Sequence, residues 1–183
     1  MLKRTEALLH QFGLNTISEA KANAPKSSGA LADSLKYSVT ITEDELIVSF
    51  DSEPYGKFQD KGVQGADPSK VKGGYNKAPG SPFKFGNGGG SSSGTLRGGI
   101  DKWVVRKGLD GIRDDKGRFI SRKSMVYLIS KSIYFTGLRP TLFFTRPYKR
   151  QSARLESSIA KAMELDYEKE IKINIKGGNL TVK

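Results

Sequence analysis

Between residues 62 and 99 the chain carries Pro68, Gly73-Gly74, Pro79-Gly80, Pro82 and the run Gly86-Asn87-Gly88-Gly89-Gly90-Ser91-Ser92-Ser93-Gly94. A stretch this rich in glycine, proline and serine loses much backbone entropy on ordering and has few apolar side chains to bury in return. It therefore interrupts any regular element and divides the periodic sequence before it from the periodic sequence after it. Three aromatic residues, Tyr75, Phe83 and Phe85, nevertheless sit inside it, more than a purely solvated linker usually holds. Their seat is either a neighbouring subunit or the parent domain.

Upstream, Leu2, Leu8, Leu9, Phe12, Ile17 and Ala20 recur at three- to four-residue spacing. This predicts a helix over residues 2–23, weakened at Gly13 and stopped by Asn23-Ala24-Pro25. A turn at Lys26-Ser27-Ser28-Gly29 leads into a single helical turn over residues 30–34. Tyr37, Val39 and Ile41, then Leu46, Val48 and Phe50, occupy alternate positions around the polar step Glu43-Asp44, the pattern of an antiparallel hairpin, which Pro54 ends. Downstream, Ile100, Trp103 and Val104 share a helical face, with Gly108 placed to end that helix. Asp114-Asp115-Lys116-Gly117 reads as a turn. Ser121 caps a stronger helix with Met125, Leu128, Ile129 and Ile133 on one stripe, ending at Gly137. Residues 141–144 read as a short strand or extended segment. Arg146-Pro147 opens a last long helix whose buried face is expected to hold Leu155, Ile159, Ala162, Met163 and Tyr167. Ile171, Ile173 and Ile175 alternate, Gly177-Gly178-Asn179 turns, and Leu180 and Val182 alternate again, which predicts a terminal hairpin.

This order predicts an α+β fold: a small antiparallel sheet covered on one face by helices, with a long loop-rich insertion and a C-terminal hairpin. The core domain is expected over residues 1–63 and 137–183, an extended Gly/Ser/Pro-rich arm over 64–99 and a helical insertion over 100–136.

The residue inventory narrows the chemistry. Cysteine is absent, so there is no disulfide framework, thiolate metal site or cysteine nucleophile. His10 is the only histidine, and one histidine does not make a zinc site. No Gly-x-Ser-x-Gly nucleophile elbow occurs, and Ser91-Ser92-Ser93 has no histidine to activate it. The glycine run lacks the Gly-Lys-Ser/Thr and flanking strand of a phosphate loop. No catalytic, cofactor-binding or metal-binding residues are assigned. No apolar run approaches the roughly 18 residues of a membrane-spanning helix. The Met-Leu-Lys-Arg start is interrupted by Glu6 and His10, so no signal peptide is expected. Lys and Arg number 31 against 19 Asp and Glu, a formal net charge of +12, which favours acidic partners. The basic residues are scattered, with no block of five like charges and no nucleic-acid-binding signature.

Three segments carry more information than composition. Ala24-Pro25-Lys26-Ser27-Ser28-Gly29-Ala30-Leu31-Ala32-Asp33-Ser34-Leu35 follows the first helix. Tyr55-Gly56-Lys57-Phe58-Gln59-Asp60-Lys61-Gly62-Val63 follows the hairpin. Gly137-Leu138-Arg139-Pro140-Thr141-Leu142-Phe143-Phe144 precedes the last helix. In this order they resemble the tail-completion, or head–tail joining, family of tailed bacteriophages. The resemblance covers residues 1–63 and 137–170, and departs from the family at Asp60, where Glu is usual, at Val63, where Thr is usual, and in the greatly enlarged connection over 64–139. The motif positions make physical sense: Pro25 stops the helix, Gly29 permits the turn, and Leu31 anchors the return. Tyr55 and Phe58 are expected to pack under the second strand, Gly62 to turn the chain sharply, and Phe143 and Phe144, after Pro140, to plug the space beside the last helix.

The resemblance implies a structural virion protein rather than an enzyme: a ring, commonly a hexamer, at the head–tail interface, through which DNA passes without sequence-specific contact. Its partners would be copies of itself, the tail tube and the connector or portal-side proteins. Its place would be the tail or neck of the virion, after assembly in the host cytoplasm, with no cofactor and no membrane. Tyr75, Phe83 and Phe85 would belong to an arm that orders on a neighbouring subunit. Two other classes compete. One is a basic DNA-binding protein or Mg²⁺-dependent nuclease using Asp51, Glu53 and Asp60; the other is a capsid-decorating or adhesion module that binds through the aromatic loop.

Overall fold

The computed structural model describes residues 2–42, 45–86, 93–109, 112–113 and 115–176, with side chains at all of these except 93–95 and 169–176. The fold is α+β. Among the described residues, six helices and four short strands run in the order α1 (Lys3–Asn23), α2 (Ala30–Ser34), β1 (Lys36–Ile41), β2 (Leu46–Asp51), α3 (Gly56–Lys61), β3 (Val63–Gln64), α4 (Ser93–Arg106), α5 (Arg122–Thr136), β4 (Gly137–Leu138) and α6 (Thr145–Lys176), with a 3-10 turn at Pro68–Lys70. None of the described helices is long and apolar enough to cross a membrane.

The chain forms two compact units, one of residues 1–24, 30–53 and 143–183, the other of 25–29 and 54–142. The division therefore falls at 53/54 and 142/143. Residues 54–63 and 137–142, expected in the core domain, join the insertion because β3 and β4 pair with each other.

In the first unit the helix expected over residues 2–23 is present, and Ala24 leaves it with ψ of 142° in front of Pro25. β1 and β2 pair antiparallel from Lys36↔Asp51 to Ile41↔Leu46. Tyr37, Val39, Ile41, Leu46, Val48 and Phe50 turn to the half-buried face and the residues between them to solvent. The Glu43-Asp44 step lies outside the described residues. Ile17, Ala20, Ala24, Leu31, Leu35 and Phe143 form one buried cluster, edged by Tyr37, Phe50 and Phe144.

α6 packs along α1. Leu2, at the cap position of α1, supplies no side-chain hydrogen bond. Asp166 of α6 supplies it instead: its carboxylate accepts from the Arg4 N–H (3.0 Å), the Thr5 N–H (2.9 Å) and the Thr5 hydroxyl (3.0 Å). The first amides of a helix lack intrahelical partners, so a carboxylate held there satisfies them and faces the positive end of the helix dipole. Burial pushes the Asp166 pKa up; the hydrogen bonds from Thr5 and Arg4 outweigh it and hold the group below the usual aspartate value. Toward the other end of α1, Glu19 accepts from Arg150 and from Gln151 Nε2 (2.8 Å). The Arg150 hydrogen bond lowers its pKa.

Two expectations for the C-terminal part change. Residues 141–144 form no strand; the strand is Gly137–Leu138, and Phe143-Phe144 turns into α6. The hairpin arm expected from Ile171 is not formed: residues 171–176 continue α6, which runs from Thr145 to Lys176. The stretch Glu168-Lys169-Glu170 before them consists of good helix formers, and extending an existing helix adds one hydrogen bond per residue without a new nucleus. The alternation of the isoleucines does not override that. The turn at 177–179, with Leu180 and Val182, lies outside the described residues.

Candidate functional site

In the second unit, the motif after the hairpin and the motif before the last helix meet. α3 follows Tyr55 and ends at Gly62, whose φ is 71°. A Cβ there would lie 2.5 Å from the Leu138 carbonyl oxygen and 2.7 Å from the Pro140 nitrogen, so only glycine fits. β3 then pairs with β4, Val63 opposite Leu138 and Gln64 opposite Gly137. Gly137 ends α5 with φ of 93°, and its own Cβ would come within 2.7 Å of the Gly65 nitrogen. The Thr141 and Leu142 amides donate to the carbonyls of Gln59 and Asp60, both at 3.0 Å. Asp60 is buried, 5% exposed.

Tyr55 and Phe58, expected beneath the second strand, belong to this unit and are exposed, at 42% and 37%. Phe58 instead meets Phe83 edge to face, ring centres 4.7 Å apart, with the Lys57 ammonium 5.2 Å from the Phe58 ring.

The described part of the insertion, residues 64–86, is folded into this unit and is not an extended arm within the chain. Gln64 and Lys84 form an isolated parallel bridge. The Ser81 hydroxyl donates to the Gly62 carbonyl (2.8 Å) and accepts from the Phe83 N–H (3.1 Å). Gln64 Nε2 donates to the Ser81 carbonyl (2.6 Å), and the Asn76 amide group accepts from the Ala78 N–H (3.1 Å). Phe85 packs on Tyr134, ring centres 5.7 Å apart, and the Tyr75 hydroxyl accepts from Arg139. All three aromatics proposed for the arm thus contact their own unit. Residues 87–92 lie outside the described residues.

Gly29 turns the chain with φ of 84° before α2, and in the first unit Leu31 and Leu35 are 4% and 2% exposed. They share their cluster with Phe143, while Phe144 packs on Phe50 at 5.3 Å. The first motif and the end of the third therefore share one core.

Of the residues named for catalysis, Asp51 and Glu53 are exposed in the first unit, and Asp60 belongs to the second. His10 is exposed, its ring 6.1 Å from that of Tyr37. Among the described residues no group of three His, Cys, Asp or Glu could hold a metal ion. Ser91 and Ser92 lie outside the described residues.

One concave surface was missed by sequence reasoning. α4 and α5 pack through Val104, Met125 and Val126, backed by Ile100, Trp103 and Ile129. The motif that ends α4 at Gly108 (φ 61°) has Leu109 N–H on the Val104 carbonyl and Gly108 N–H on that of Val105. Ser121 caps α5, accepting from the Ser124 N–H. Beside this core the two helices flank a cleft of about 960 Å³, and Arg97 and Tyr127 line both it and a smaller one of about 380 Å³. Asp101 is bound there by Arg122, Nε to Oδ1 at 2.7 Å, and that hydrogen bond holds its pKa below the usual value. The signal available in the sequence was Lys123, Tyr127 and Lys131 at four-residue spacing.

Compared with protein-family models, with curated proteins and with solved structures, the chain matches none.

Proposed function

We propose that the chain is a structural virion subunit of a tailed phage, forming a ring at the head–tail interface as a tail-completion, tail-terminator or neck component around a DNA channel. The observation that carries this reading is the meeting of Leu31 and Leu35 from the first family-like motif with Phe143 from the third in one buried cluster. Segments more than a hundred residues apart in the chain are thus joined at the positions where the resemblance lies.

The hairpin supports the same reading. β1 pairs only with β2 among the described strands, so the outer edge of each presents backbone donors and acceptors to a neighbour. Pairing of the β1 edge of one copy with the β2 edge of the next is heterologous and closes into a ring when its rotation allows. On this account the protein acts by assembly and not by turnover, needs no cofactor, and meets DNA through the general charge of the channel. With the described part of the insertion committed to its own unit, the hairpin edges are the better candidates for copy-to-copy contact.

Native mass spectrometry of the purified full chain, alone and with tail-tube or connector proteins, tests the reading. A closed oligomer, with six copies the leading expectation, supports it. Monomers under every condition, with no association with either protein class, overturn it.

A further inference from the structure

We propose that the cleft between α4 and α5 is a docking groove for an acidic amphipathic helix of a partner protein. The inference goes beyond the ring reading. It concerns one surface of the second unit and stands or falls independently of whether copies of the chain associate.

Four features converge on the cleft. The first is exposed apolar area: Tyr127, Leu128 and Tyr134 on α5 are 46%, 55% and 39% exposed, and all three line the two cavities. Residues 127, 131 and 134 follow the i, i+4, i+7 rhythm of a helix stripe, so this surface runs along α5 and suits a helical occupant.

The second is charge. Lys123 and Lys131 border the groove, and the Arg97 guanidinium lies 5.4 Å from the centre of the Tyr127 ring. The one acid lining it, Asp101, is taken by Arg122. The rim therefore favours carboxylates flanking an apolar stripe. Leu96, Val126 and Leu128 add aliphatic lining beside the rings of Tyr127, Tyr134 and Phe135, an apolar surface that the leucine stripe of a helix covers. The same rings offer bases a stacking platform, so single-stranded nucleic acid is the competing occupant that the test separates.

The third is a buried hydroxyl. Ser130 is only 5% exposed and lines the smaller cavity, and its Oγ has no hydrogen-bond partner among the described residues. A buried polar group without a partner is costly, and a side chain entering the cavity can supply one.

The fourth is the wall opposite. Gly98 and Gly99 stand in α4, where glycine weakens a helix more than any residue except proline. Neither has a positive φ, and a Cβ at either position meets no described atom within 4 Å. Packing among the described residues does not require these glycines, and Gly98, which lines the cleft, leaves room for a partner helix to approach closely.

The test uses the full chain and fluorescence anisotropy with three labelled probes. They are a peptide with leucines at i, i+4 and i+7 flanked by glutamates, a scrambled peptide of the same composition, and an oligothymidylate. The proposal expects saturable binding of the amphipathic peptide, with the scrambled peptide and the oligothymidylate each weaker by roughly tenfold or more. Gly98→Leu should raise the thermal midpoint, through better helix propensity, while weakening the amphipathic peptide by roughly tenfold or more. Leu128→Glu, at an exposed position, should leave the circular dichroism unchanged and abolish binding. The proposal is overturned by absence of saturable binding, by equal affinity for the scrambled peptide, by preference for the oligothymidylate, or by unchanged affinity in Gly98→Leu and Leu128→Glu.

Discussion

Replacing Gly13 by alanine sets two effects of known size against each other. Gly13 is buried in α1, and in a helix interior alanine is favoured over glycine by about 0.8–1.0 kcal/mol. Propensity alone therefore predicts a more stable protein. The structure opposes this, because a Cβ at Gly13 would lie 2.6 Å from Cε2 and 2.9 Å from Cγ of Tyr37. Cγ is the root of the ring and is set by β1, so a change of rotamer alone does not clear it, and helix or strand must shift. Overpacking of this kind costs about 1–3 kcal/mol. The net expectation is destabilisation of up to about 2 kcal/mol in the natural background. In a Tyr37→Ala background the obstruction is gone, and the same substitution should stabilise by about 1 kcal/mol. The four proteins of this cycle, unfolded in urea and followed by far-ultraviolet circular dichroism, give the coupling directly when the m-value is constant. A coupling of about 1–3 kcal/mol is expected. Equal effects of Gly13→Ala in both backgrounds would refute the close seat of α1 on β1.

Other perturbations address other joints. Phe143→Ala empties the centre of the first unit's cluster, where the ring is 2% exposed, and should cost about 3–5 kcal/mol in urea unfolding. Gly137→Ala forces a side chain into a φ of 93° against the Gly65 nitrogen, and should shift the unfolding of the second unit, read by Trp103, the only tryptophan, to lower urea. Acid should loosen the α1–α6 pairing. Asp166 and Glu19 both have folded pKa values below their ordinary 3.8 and 4.5, so their stabilisation is complete above those values and is lost as pH falls through the lower folded ones. Asp166→Asn should lower stability at neutral pH and flatten the acid limb of the stability profile, as measured by thermal unfolding across pH.

What was legible in the sequence was local. The stripe from Leu9 to Ala20, the alternation in β1 and β2, the Ser121 cap and the glycine stops at 108 and 137 are short-range signals, and each corresponds to an element. Long-range pairing was not legible. Nothing local marks Asp166 as the partner of the Arg4 amide 162 residues earlier, since an aspartate in a charged helix reads as solvated surface. The Gly/Pro composition after Gly62 conceals that Gln64, Asn76 and Ser81 close a hydrogen-bonded loop, because the order comes from side-chain amides and a hydroxyl and not from apolar burial. The two-unit division depends on β3 meeting β4, more than seventy residues apart, which residue periodicity does not encode. The cleft between α4 and α5 escaped because its Tyr and Lys stripe looks like an ordinary exposed helix face until Gly98 of α4 is placed across from it.

The central claim is that copies of this chain close around a hollow centre. Electron-microscopic class averages of the purified oligomer, viewed down its symmetry axis, test it most directly. The account predicts an annulus with an open lumen wide enough for duplex DNA. Compact clusters without a channel, or linear polymers that never close, would contradict it.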